Sequence, residues 1–216
     1  MPTSQGTLGG HFSRRAFVAG LALAPASAVW PTAVMAAPVD DVSMAGSLGD
    51  RWLGAPDAKS TFVEYAAVTC SHCAAFHQRT WPGIKARWID TGRMRFALRG
   101  FLLSPLDTAG FMLAQADGGR NYYAVTDLLF EKQASWAFVP KPLDAMRELL
   151  LQAGFDRRKF DAVLADQALY DHVNRVQARA TEILKITSTP TLFVDDTRHE
   201  GDLSGDAFDA LVRKRT

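Results

Sequence analysis

Thr61-Phe62-Val63-Glu64-Tyr65-Ala66-Ala67-Val68-Thr69-Cys70-Ser71-His72-Cys73-Ala74-Ala75-Phe76-His77-Gln78 decides the fold. Residues 61–68 form a mostly apolar run that reads as a strand, and 74–78 read as a helix. At the junction stand Cys70 and Cys73, the only two cysteines in 216 residues. Residues i and i+3 are neighbours on a helix, so the two sulfurs can close a disulfide with little strain. Cys70 sits at the helix N-terminus, where free N–H groups and the helix dipole favour an anion and hence a thiolate. Cys70 is the candidate nucleophile and Cys73 the resolving thiol. A purely structural disulfide is the alternative, but it would close too small a loop to contribute much chain-entropy stabilisation.

The N-terminus reads as an export signal. Ser13-Arg14-Arg15-Ala16-Phe17-Val18 has the twin-arginine pattern, an alanine-rich apolar stretch runs from Ala16 to Val29, and Val34-Met35-Ala36 offers small residues for cleavage after Ala36. The apolar stretch is too short and too weakly apolar for a stable membrane span, and no later segment reaches that length. A retained N-terminal anchor, or a chance Arg-Arg pair, is the alternative. The whole chain carries a formal charge of +1, and loss of residues 1–36 removes two arginines and no acids, leaving −1. Such a balance points neither to nucleic acid nor to an anionic membrane. The expected location is the periplasm, and the remaining 180 residues suffice for one sizeable core.

Residues 37–58, with Gly46, Gly49, Gly54 and Pro56, read as an extended, partly loose lead-in. Strands are expected at 60–68 and 93–99, with a helix over 70–90 interrupted at Pro82. From Pro105 to Ile186 apolar residues recur at helical spacing, and helices are expected over 107–116, 121–133, 143–153, 157–164 and 168–184. Thr191 to Asp195 reads as a strand, followed by a turn and a short strand at Arg198-His199-Glu200. Ser204 can cap a last helix from Gly205 to Arg213. The order specifies an α/β class, a thioredoxin-like fold with an inserted helical domain. The core comprises 37–104 and 187–216, and the insertion 105–186.

Several stretches resemble the DsbA family of thiol:disulfide oxidoreductases. They are Phe62-Val63-Glu64-Tyr65 with Thr69-Cys70-Ser71-His72-Cys73, Ile89-Asp90-Thr91-Gly92 with Arg95-Phe96, and Pro105-Leu106-Asp107. Further on come Ala168-Leu169-Tyr170, Ser188-Thr189-Pro190-Thr191-Leu192-Phe193-Val194 and Gly201-Asp202-Leu203-Ser204. Together they span nearly all of the chain after residue 36. The family's usual proline between the cysteines is replaced by Ser71, which bears on the redox potential more than on the chemistry. The resemblance implies a strongly acidic Cys70, a cis bond before Pro190, and a Thr189 backbone free to pair with an extended substrate peptide. It also places a buried carboxylate at Glu64, able to take or give a proton during exchange. The implied partners are reduced or unfolded exported proteins and a quinone-linked membrane reoxidase of the DsbB type. No cofactor is implied beyond the redox-active pair.

Other readings attach to some of these residues. His72, if protonated or donating a hydrogen bond, would add to the stabilisation of the Cys70 thiolate. Cys70, Cys73, His72 and His77 are four possible metal ligands, although a side chain at 72 should point away from those at 70 and 73. His77 by itself reads as a polar helix residue. Phe76 and Trp81 read as core residues, with lining of a substrate groove as the alternative. At the level of function, the rivals are a disulfide isomerase or reductase on the same scaffold, a holdase chaperone, and a metal-handling protein.

Overall fold

The computed structural model describes residues 47–201 and 203–213; the expected signal segment, its cleavage point and residues 37–46 of the lead-in lie outside them. Five strands, β1 (Trp52–Leu53), β2 (Ser60–Ala66), β3 (Met94–Gly100), β4 (Thr191–Val194) and β5 (Thr197–Glu200), form one sheet in the order β1-β3-β2-β4-β5. β2 and β3 run parallel, from Ser60 opposite Met94 to Ala66 opposite Gly100. β4 runs antiparallel to β2 with Thr191 opposite Tyr65, and the outer strands β1 and β5 are antiparallel to their neighbours. Phe62 to Ala66 are all buried, which is why this strand reads as a continuous apolar run instead of an alternating one.

A parallel pair needs a crossover, and α1 (Ser71–Arg79) with α2 (Trp81–Ile84) and a π turn at Lys85–Ile89 supplies it. The interruption expected at Pro82 falls at Thr80. Pro82 is the second residue of α2, where a missing N–H costs no helical hydrogen bond.

Between β3 and β4 the chain forms α3 (Pro105–Ala114), α4 (Ala116–Gly119), α5 (Tyr122–Glu131), α6 (Gln133–Trp136), α7 (Pro142–Leu150), α8 (Arg157–Leu164) and α9 (Gln167–Ala178), the last continued by a π turn at Arg179–Ile183. The five expected helices are present with shifted ends, and α4 and α6 are single turns between them. Local capping explains the starts. Asp156 accepts from the Lys159 amide, Asp166 accepts from the amides of Ala168 and Leu169, and Ser104 and Asp107 form a reciprocal capping box. α10 (Gly205–Arg213) follows the sheet, and Ser204 Oγ accepts from the Ala207 amide at its start.

The lead-in is more ordered than its composition suggests. The short strand β1 lies within it, with the Arg95 guanidinium 4.2 Å above the Trp52 ring. Asp50 forms a buried ion pair with Arg99 on β3 at 2.6 Å, and the Tyr123 hydroxyl donates to the Arg51 carbonyl. Two residues carry no periodicity to read, so these long-range contacts define the strand where sequence could not.

The sheet buries both faces. Val63 and Tyr65 point to one side, with Val176, Ala180, Leu184 and Phe193. Phe62 and Ala66 point to the other, into the larger core that α1, α3, α5 and α10 complete. Phe62 is its hub, with ring centroids 4.9 Å from Phe208, 5.0 Å from Phe96, 6.1 Å from Trp81 and 6.4 Å from Phe76. Phe76 and Trp81 are therefore core residues. Glu64 shares this face by the period of two, which aims a carboxylate at the helix that carries the cysteines.

Candidate active site

β2 ends at Ala66, and four residues later Cys70 caps α1 in an extended conformation (φ −79°, ψ 120°). Its sulfur accepts from the backbone amide of Cys73 at 3.4 Å, so the side chain serves as the N-cap acceptor. Both thiols are free, Cys70 half-buried and Cys73 fully buried. The Cys70 pKa is lowered to about 5. The largest contribution is a hydrogen bond with the Cys73 side chain; Thr189 and the backbone amides of Cys73 and His72 add to it, against the opposing effect of partial burial. Cys73 moves the other way. Burial pushes its thiol well above its usual range, reinforced by the hydrogen bond with Cys70 and by the Glu64 charge. One helical turn thus holds an acidic, accessible thiol and a buried, weakly acidic one.

The loop before β4 completes the rim. The Thr189–Pro190 bond is cis, and the Cys70 thiol donates to the Thr189 carbonyl at 3.6 Å. Pro190 is buried and Thr189 is partly open, and the Pro190 carbonyl accepts from the Gly201 amide. His72 is exposed, and it acts on Cys70 through its backbone amide.

Glu64 is fully buried, and its Oε2 lies 2.9 Å from Nε2 of His77. Reading His77 as a plain polar helix residue is corrected here. Its ring is buried and stacks on Phe130 at 4.1 Å with planes 13° apart. No spacing rule links a strand residue to one thirteen positions on, so the partnership appears only when α1 folds back onto β2. Among the described residues no group of three or more His, Cys, Asp or Glu side chains is arranged to hold a metal, and His77 is engaged by Glu64.

Two further residues touch the cysteine loop, and sequence reading assigned neither a role. Asp107, fully buried on α3, accepts from the Thr69 amide and hydroxyl and from the amides of Leu103 and Ser104. Gln133, buried on α6, donates to the carbonyls of Val68 at 2.7 Å and Cys70 at 3.0 Å. The Asp107 capping box was a local signal; the reach to Thr69 was not. Gln133 carried no signal at all.

Known proteins agree with this architecture. Residues 47–214 match the family model described as Thioredoxin, and the chain belongs to that family. It is 26% identical over 152 residues to a protein of Rickettsia bellii assigned by name to the protein-disulfide oxidoreductases, a match covering 70% of this chain. The chain spans 59% of that relative's length. Among solved structures it is similar to alpha-DsbA1 of Wolbachia pipientis, with TM-score 0.70 and 27% identity over 76% of this chain and 89% of that one. A structure named as a protein-disulfide isomerase from Novosphingobium aromaticivorans shares the fold, with TM-score 0.69 and 19% identity over 80% of this chain and 98% of that one. The fold is that of the DsbA proteins.

Proposed function

We propose that this chain is a DsbA-like protein-disulfide oxidoreductase that introduces disulfides into exported proteins. The observation that carries the reading is the asymmetry of the pair: Cys70 is acidic and accessible, Cys73 weakly acidic and buried. In the proposed cycle a substrate thiolate attacks Cys70 Sγ of the oxidised pair. The Cys70–Cys73 bond breaks, a mixed disulfide forms on Cys70, and Cys73 leaves as a thiolate that takes up a proton. A second substrate thiolate then attacks the substrate sulfur of the mixed disulfide. Cys70 departs as a thiolate, and a low pKa makes it a good leaving group. Two substrate thiols have become a disulfide, and the protein's disulfide has become a dithiol.

Glu64 is suited to move the proton. Its carboxylate is buried on the cysteine side of β2, and its Oε1 has no hydrogen-bond partner among the described residues. The exposed edge of the cis-Pro190 loop, at Thr189, is suited to pair with an extended substrate backbone. The reading includes export by the twin-arginine route to the periplasm and reoxidation by a quinone-linked membrane partner of the DsbB type. No described helix is long and apolar enough to cross a membrane.

The test is oxidation of a reduced peptide dithiol by the pre-oxidised protein, alongside a Cys70→Ser variant. Loss of turnover in the variant is expected, and undiminished turnover overturns the proposal. The direction is read from the reduction potential of the pair. A value near about −120 mV marks a disulfide donor, and one near about −270 mV a reductant.

A further inference from the structure

Three consecutive residues lead into the active site, Val68, Thr69 and Cys70. The groups that hold their backbone come largely from helices inserted between β3 and β4. Gln133 on α6 is nearly fully buried, and its Nε2 carries two hydrogens. One faces the Val68 carbonyl at 2.7 Å and the other the Cys70 carbonyl at 3.0 Å. Asp107 on α3 takes the Thr69 amide at 2.8 Å on one oxygen and the Thr69 hydroxyl at 2.8 Å on the other. Gly110, one turn further along α3, lets that helix come close. A Cβ there would stand 2.8 Å from Val68 Cγ2. On the outer side of the same turn Ser71 and His72 are exposed.

We propose that Gln133 and Asp107 are positioning residues of the active site, a clamp that fixes the 68–70 backbone so that Cys70 Sγ stays against the Cys73 amide and the Thr189 loop. The physical case is one of competing geometries. Cys70 is a cap residue with non-helical φ and ψ: its carbonyl accepts the first helical bond, from the Ala74 amide at 3.0 Å, and its amide donates to the Ala67 carbonyl at 3.1 Å, so the α-helical ladder holds it at the carbonyl alone. Its sulfur keeps the Cys73 amide only while its own backbone stays extended at that angle to α1. Gln133 holds the 68–69 and 70–71 peptide units through their carbonyls, and Asp107 holds the 68–69 unit from its amide side together with the Thr69 hydroxyl. Rotation of Cys70 away from α1 would break at least one of these bonds beside the buried Gln133 and Asp107 side chains, where an unpaired polar group is costly. Neither residue touches the reacting sulfur atoms, and the clamp acts through Cys70.

The inference rests on Cys70 being the acidic nucleophile, and the test separates the two ideas. The reduced full-length protein is alkylated with iodoacetamide from pH 4 to pH 8, with the modified cysteine identified by mass spectrometry. Gln133→Met keeps the chain length and removes both donors. The clamp predicts that its Cys70 titration midpoint rises by about one unit. Alkylation at pH 5 then falls about fivefold while the rate at pH 8, where the thiolate dominates in both proteins, is unchanged. Thr69→Val, which removes only the hydroxyl bond to Asp107, should move the midpoint less and in the same direction. This second variant decides the matter if Gln133→Met does not fold. A purely structural role would lower the melting temperature without moving the midpoint. Midpoints equal to that of the unaltered chain therefore overturn the clamp. Failure of Cys70 to react at pH 5 in the unaltered chain overturns the active-site reading instead.

Discussion

At the scale of single residues, the pKa of Cys70 has a consequence for stability. Its thiol ionises at about pH 5 in the folded dithiol form and at about 8.5 in an unfolded chain. A folded pKa below the unfolded one stabilises above the unfolded pKa, and that stabilisation is lost as pH falls through the folded one. The reduced protein should therefore lose stability steadily between about pH 8.5 and pH 5. The oxidised protein and a reduced Cys70→Ser variant should lack this component. Melting temperatures of the three forms across that range check it; parallel curves would refute the assignment. Glu64 and His77 make a second residue-scale case. His77→Ala leaves a buried carboxylate without its partner and should cost about 3–5 kcal/mol in urea unfolding. Glu64→Leu with His77→Phe replaces the pair with apolar volume and should cost clearly less than the single change. A single variant within about 1 kcal/mol of the unaltered protein would show that the pair is not an interacting unit. The cysteines were legible because their spacing is local. The pair was not, because its halves meet only across two packed elements.

At the scale of elements, α9 and the lead-in are joined by His172. Its Nδ1 accepts from the Leu48 amide and bonds the Ser47 hydroxyl, while Nε2 faces the Gln115 side chain. Burial, helped by the nearby Arg175 and Arg51 charges, lowers its pKa; Asp50 opposes the shift. With the folded pKa below the unfolded value near 6.5, the neutral ring's contribution is present above that pH and lost as pH falls below it. The oxidised protein, free of the Cys70 effect, should lose melting temperature between pH 7 and pH 5. A His172→Gln variant keeps an acceptor for Leu48 without a titrating group, and its curve should be flatter. An equal slope in the two proteins would remove His172 as the cause. The lead-in read as loose because Gly46, Gly49, Gly54 and Pro56 suggested it. Its order comes from Asp50 and Trp52 meeting Arg99 and Arg95 of β3, and from Arg51 meeting Tyr123 of α5 and Gln115 between α3 and α4, all tens of residues away.

At the scale of the whole molecule, the sheet and the inserted helices share one core. Phe62, Ala66 and Val68 from the strand side pack in the same cluster as Phe111, Leu129, Phe130 and Trp136 from the helices. Neither part buries its apolar face without the other, so unfolding should be a single cooperative event. Far-ultraviolet circular dichroism and tryptophan fluorescence, which includes Trp81 beside the sheet and Trp136 in the helical block, should give the same urea midpoint. Separate midpoints would show that the helices unfold as an independent unit. A shared core also explains how residues of the insertion reach the cysteine loop: α3 brings Asp107 to it and α6 brings Gln133.

The dithiol and its place at a strand-to-helix junction, the order of the main strands and helices, and the proline before β4 can all be read from the chain before it folds. All of these rest on short-range signals: spacing, periodicity, capping and turn residues. The tertiary structure decided which polar groups meet. It brought His77 to Glu64, Asp50 to Arg99, His172 to Leu48, and Asp107 and Gln133 to the backbone beside Cys70. Buried polar groups must find partners wherever the packed elements place them. Those partners are fixed by the angles and registers of whole helices and strands, which no local pattern of residues records.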